Sequence, residues 1–125
     1  MTESKVVDIG EVVVTGAVLF GPDAVPFSDA TAYISLLDVS RQDAPSSMIT
    51  RRVIRNVKYA AGEQIDFSLT GKIDDPRGMY VVSAHIDVDG DGEVSVGDYI
   101  TTGHFPVSTQ GKTADMRVIV QRVTS

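Results

Sequence analysis

The chain has 125 residues, 42% of them hydrophobic, and no cysteine. That suits one modest core and excludes disulfides, thiolate metal sites, cysteine nucleophiles and, within these residues, a lipid-bearing cysteine. The formal charge of −6 comes from 17 acidic and 11 basic residues, and five of the acids lie between Asp87 and Asp98, so that 12 acids face 11 bases elsewhere; this leaves no basic surface for a nucleic-acid partner.

No apolar run approaches the roughly 18 residues of a membrane span, so no membrane insertion is expected. The opening "MTESKVVDIG" has no apolar signal-peptide core and no cleavage pattern. As written, the chain reads as cytoplasmic; with a signal peptide removed it would be periplasmic or extracellular. Residues 1–10 are read as a disordered lead-in within a single domain spanning 1–125.

From there, short runs rich in Val, Ile, Thr and aromatic residues recur between Gly, Pro, Asp and Ser clusters. The pattern predicts an all-β, single-domain β-sandwich of about seven strands. In order these are Glu11 to Phe20, Thr31 to Ser40, Met48 to Asn56, Gln64 to Thr70, Met79 to Ile86, Tyr99 to Val107 and Asp115 to Val123. "GPDAVPFSD", "RQDAPSS", "AAGEQ" and "DDPRG" read as the loops between them, with Pro22 and Pro26 interrupting any ladder. Alternation in "IDFSLT" puts Ile65, Phe67 and Leu69 on a buried face and Asp66, Ser68 and Thr70 on the other. In the last run Met116, Val118 and Val120 share a face.

Between the fifth and sixth runs lies "DVDGDGEVSVGD". A calcium-binding EF-hand loop has twelve residues, with oxygen ligands at places one, three, five, seven, nine and twelve and a glycine at the sixth for the sharp turn. Those places hold Asp87, Asp89, Asp91, Glu93, Ser95 and Asp98, with Gly92 sixth and an apolar Val94 eighth, where the loop is usually pinned. Calcium takes about 6 to 8 oxygens at roughly 2.3 to 2.6 Å, and alternate side chains of a coiled loop converge on that radius. Asp98 stands where glutamate is usual and reaches one methylene less far, which weakens the clamp and makes magnesium the alternative ion. The flanks are strands, not helices. With Ile86 opposite Tyr99, Ala84 meets Thr101, Val82 meets Gly103 and Tyr80 meets Phe105, so the EF-hand-like loop is inserted in a β-hairpin.

Other constellations point to chemistry less well. Gly90 and Gly92 would need a third glycine where Ser95 stands, and the surrounding acids oppose a pyrophosphate, which removes a dinucleotide site. His85 and His104 read as solvent-facing strand positions, and Arg51, Arg52 and Arg55 as a solvated strand face. Neither G-x-S-x-G nor H-E-x-x-H occurs.

The residues therefore predict a calcium-binding, non-catalytic module whose ion stabilises the hairpin around residues 87–98 and which serves protein binding. One alternative stands beside it, a small metal-dependent enzyme.

Four segments in order, "VTGAV" (Val14 to Val18), "DVSRQDAP" (Asp38 to Pro45), "DPRGMY" (Asp75 to Tyr80) and "HFPV" (His104 to Val107), resemble the YbaY/YscW-like family, described around a type III secretion lipoprotein chaperone or pilotin. The resemblance covers about three quarters of the chain. It implies a compact β-sandwich and, for the members that give the family its name, escort of an outer-membrane secretin, which adds a second alternative: a pilotin-like chaperone for a secretion-system or envelope protein, taking a peptide at a sheet edge or between sheets.

Overall fold

In the computed structural model the described residues are 11–41, 43–110 and 112–124; the first ten, read above as a disordered lead-in, lie outside them. The strands are β1 (Glu11–Phe20), β2 (Phe27–Asp38), β3 (Ser47–Tyr59), β4 (Ile65–Lys72), β5 (Tyr80–Asp87), β6 (Tyr99–Thr101) and β7 (Lys112–Arg122), with no helix among the described residues. The all-β expectation holds. The Pro22–Pro26 segment stays out of the ladder, but β2 begins at Phe27, directly after the last proline, four residues earlier than the composition suggests.

Period-two burial explains most of the strands. Ala30, Ala32, Ile34 and Leu36 of β2, Phe67 and Leu69 of β4, and Tyr80, Val82, Ala84 and Ile86 of β5 point inward and join Val12, Val14 and Val18 of β1 and Val118 and Val120 of β7 in the core. The layers of the expected sandwich are continuous. One seven-stranded sheet, ordered β3-β2-β5-β6-β7-β1-β4, curls until its two edges approach. A Cβ placed on Gly71 of β4 would lie 3.0 Å from Ile49 Cγ2 and 3.3 Å from Thr50 Cγ2, both on β3. All neighbours are antiparallel except β1 and β7, which run parallel.

The β5–β6 hairpin has the expected register at its start, with Ile86 opposite Tyr99 and His85 opposite Ile100. Beyond Thr101 it departs from expectation. Val81, not Met79, falls opposite Pro106, and the flanking bonds are Val82 N to Phe105 O at 2.9 Å and Val107 N to Tyr80 O at 3.0 Å. Two residues have looped out, so Val82 opposite Gly103 and Tyr80 opposite Phe105 are both displaced. Proline supplies the reason: it has no N–H, and the slip sets Pro106 at a non-hydrogen-bonded place where none is needed. Because the slip is even, inward residues stay inward.

Aromatic side chains close one end of the curl. Phe20 packs on Tyr59 with ring centroids 4.2 Å apart and meets Tyr99 edge-on at 5.2 Å, while Phe27 lies 5.5 Å from Tyr99. The buried Tyr99 hydroxyl accepts from Val25 N at 2.9 Å and ties the proline-bearing loop to this plug. Tyr99→Phe keeps the ring and orphans the amide, so it is expected to cost about 1 kcal/mol in urea denaturation; an unchanged midpoint would show that water satisfies Val25.

The opposite end carries two of the sequence segments singled out above. Asp38 pairs with Tyr80 across β2–β5, whereas Thr31 pairs with Asp87, so the acidic loop and "DVSRQDAP" sit at opposite ends of that pair. Val39 N donates to Met79 O at 2.9 Å, and Met79 N donates to Ser40 Oγ at 2.9 Å. Asp38 Oδ1 accepts from Ser40 N at 2.9 Å. Hydrogen bonding from the Ser40 side chain, then its backbone amide, lowers the Asp38 carboxyl below its ordinary value. A carboxyl with a depressed folded pKa stabilises above the unfolded value and loses that contribution as pH falls through the folded one. Asp38 therefore contributes at neutral pH and loses that contribution as the pH falls from about 4, the ordinary carboxyl value, through its lower folded one. Ser40→Ala is expected to raise the Asp38 pKa in a carboxyl NMR titration; no movement would remove Ser40 as the cause.

Candidate functional site

The acidic loop is built by the end of β5 and the entry to β6. Asp87 and Asp98 are 1% and 0% exposed, and both are held by donors from within the hairpin. Asp87 Oδ1 accepts from Gly90 N at 3.0 Å and Oδ2 from Gly92 N at 2.8 Å. Asp98 Oδ1 accepts from Val88 N at 2.9 Å, and Oδ2 takes Ser95 N at 3.1 Å and His85 Nε2 at 2.9 Å. Gly92 has φ of 80°, the left-handed turn expected of it.

Four of the six residues singled out by spacing come together: one carboxylate oxygen from each of Asp87, Asp89, Asp91 and Asp98 lies within 4.8 Å of the others. Ser95 Oγ donates to Asp89 Oδ2 at 2.7 Å and keeps that carboxyl below its ordinary value. Glu93 joins through its backbone, its amide donating to Asp91 Oδ1 at 2.9 Å. Val94 does not pin the loop. It is 54% exposed, because Gly97 N to Val123 O and Val123 N to Asp98 O fasten the loop to the end of β7 instead. His85 also departs from expectation. Its side chain is 18% exposed, stacked on Tyr33 at 5.7 Å and bonded to Asp98, so it is part of the loop's support and not a free surface group.

A second feature is the groove across β4, β1 and β7. Its volume is about 780 Å³, and Thr15, Ala17, Leu19, Asp66 and Arg117 are among its lining residues. Thr15, Ala17 and Leu19 alternate with the buried Val14 and Val18 and so point away from the core. Ala17 pairs with Asp66 on one side and Arg117 on the other, so a small apolar floor runs between a negative and a positive wall. Thr15 and Ala17 of this floor lie within "VTGAV". Gly16 is required by close approach, since a Cβ there would fall 2.2 Å from the Met116 carbonyl oxygen. Next to it the β1–β7 register shifts between Val14 and Gly16, and Asp115 adopts φ of 57°. Nothing in the sequence reading assigned this groove, although the Gly-Ala pair inside an otherwise Val-rich strand was a visible sign of it.

The profile of the type III secretion system lipoprotein chaperone (YscW) family matches residues 10–120. A solved structure, an alternative pilotin from the type II secretion system of Vibrio cholerae, is 25% identical and superposes with a TM-score of 0.63, covering 88% of this chain and 96% of that one. No curated protein matches the chain.

These findings overturn the calcium-binding module as the reading of function and favour the pilotin-like chaperone given beside it. The physical reason the sequence misled is that aspartates spaced as ligands are equally the acceptors a tight glycine-rich loop needs, and here each already takes a hydrogen bond from the hairpin. On the match over residues 10–120, the chain belongs to the YscW family of type III secretion system lipoprotein chaperones.

Proposed function

We propose that the protein is a pilotin-like, non-catalytic chaperone that grips a segment of a secretion-system envelope protein in the groove over β1, the secretin being the partner this family implies. The observation that carries the reading is the family match along nearly all of the described chain, supported by a pilotin as structural neighbour. The groove suits the task. Its floor of Thr15, Ala17 and Leu19 offers apolar area at little desolvation cost, and Asp66 and Arg117 can orient a segment by its charges. A lipoprotein chaperone works on the envelope side of the cell, which favours that location over the cytoplasm. The carboxylate loop is not needed for this reading.

The test is deletion of the gene in its own host, followed by fractionation of the outer membrane. The reading expects assembled secretin to fall there and to recover with the wild-type gene. Normal secretin assembly without the gene would refute it.

A further inference from the structure

We propose that the groove over β1 selects its occupant by an ordered pattern: a large apolar side chain on Leu19 and Ile119 and, one row nearer Thr15, an acidic side chain at Arg117 with a basic one at Asp66. This selection rests on the groove being the chaperone's grip, and it fixes which secretin segment is accepted and which way round. Ile119 extends the floor. Val118 and Val120 are fully buried, so Ile119 between them points outward, where it is 42% exposed and pairs with Leu19. Neither Leu19 nor Ile119 is among the residues packed in or against the core. Single exposed apolar residues are ordinary on a protein surface, whereas two side by side at the end of a groove, continuous with Ala17, form a patch that marks a contact.

The groove changes character along β1. The row Asp66, Ala17, Arg117 follows the row of Leu19 and Ile119 two residues along each strand, which sets charges about 7 Å from the apolar pair. Farther on, Thr15 pairs with Ser68, and Asp115 with φ of 57° lies beside the register shift, so that end is polar. Asp66 and Arg117 stand two strand spacings apart, roughly 10 Å between backbones, and among the described residues neither is in an ion pair. Asp66 Oδ1 accepts from Gln64 Nε2 at 2.9 Å, which orients the carboxylate, while Oδ2 has no hydrogen bond among the described residues. An occupant lying along β1 therefore meets opposite charges on its two flanks. Turning it end for end exchanges those charges and carries its apolar residue from Leu19 and Ile119 onto Thr15 and Ser68. Like-charge contact and loss of the apolar seat both oppose the reversed orientation.

The test titrates the host's purified secretin, and the overlapping peptide of it that binds, into variants of the groove. Ile119→Thr keeps a β-branched residue in β7 and is expected to weaken binding about fivefold with the melting temperature retained. Val53→Thr, at a 40% exposed valine on β3 outside the groove, should leave the affinity unchanged. Arg117→Glu and Asp66→Lys should each weaken binding about tenfold. The double variant Asp66→Lys/Arg117→Glu keeps the net charge; it is expected to stay weak and to recover with a secretin peptide whose acidic and basic residues are exchanged. Wild-type affinity in Ile119→Thr or in the double variant, with binding still blocked by Ala17→Trp, overturns the ordered pattern and leaves the groove as the grip. No binding of secretin to the wild type, or binding indifferent to Ala17→Trp, overturns the grip and the pattern together. Self-association of the free protein that Ile119→Thr abolishes would assign the patch to a second copy and overturn the pattern as well.

Discussion

Gly16→Val is expected to be among the most damaging single substitutions in this protein. The new Cβ would sit 2.2 Å from the Met116 carbonyl oxygen, and that neighbour is backbone of β7, not the end of a flexible side chain. Relief requires β1 and β7 to separate at the one parallel pairing among the described residues, beside the register shift that already kinks it. Overpacking of this kind costs about 3 kcal/mol when the backbone has to move. For a chain of this size that lowers the melting temperature by more than about 10 °C. Ala17, the next residue, points away from the core, and a large side chain there should leave the melting temperature within a few degrees. Calorimetry on the two variants separates close approach at Gly16 from a general intolerance of β1, and equal losses would refute the distinction.

Asp98→Ala is expected to rank with it. The carboxylate is fully buried and accepts from Val88 N, Ser95 N and His85 Nε2. Removing it orphans two amides and one ring nitrogen inside the hairpin, and each unsatisfied buried donor costs about 1 to 3 kcal/mol. Water entering the space left by the side chain offsets part of this, so about 3 kcal/mol is expected in urea unfolding. Asp98→Asn retains one acceptor and should lose roughly half as much. Hydrogen exchange gives the local readout: protection of the Val88 and Ser95 amides should fall in both variants, more in the alanine one. A loss of stability with protection unchanged at those two amides would mean that Asp98 acts elsewhere.

Local pattern in the sequence carried much of this fold. β1 spans the same residues in the sequence reading and in the structure, and the Ile86–Tyr99 pairing follows from alternation and the loop length between them. Long-range pairing was not legible. Nothing in the periodicity of β1 or β7 says that they run parallel, because hydrophobic alternation fixes which face is buried but not which strand lies alongside. The hairpin slip after Thr101 needed the geometry of Pro106. For the site, the spacing of Asp87, Asp89, Asp91 and Asp98 does bring their carboxylates together. Spacing alone does not give a function, since Asp91 accepting from Glu93 N and Asp87 accepting from Gly92 N use the same spacing that ligands would. The groove escaped notice because its floor and walls come from three strands far apart in sequence, and only the Gly16-Ala17 pair hinted at it.

The chaperone reading turns on whether a secretin segment seats over β1. Isothermal titration of the host's purified secretin, or overlapping peptides from it, into wild-type protein and Ala17→Trp measures this directly. Tryptophan at Ala17 fills the floor between Asp66 and Arg117 and suits an outward strand position. The account predicts saturable binding to the wild type and at least about tenfold weaker binding to Ala17→Trp, near 1.4 kcal/mol, with its melting temperature retained. Equal affinity in the two proteins, or no binding to the wild type, would contradict it.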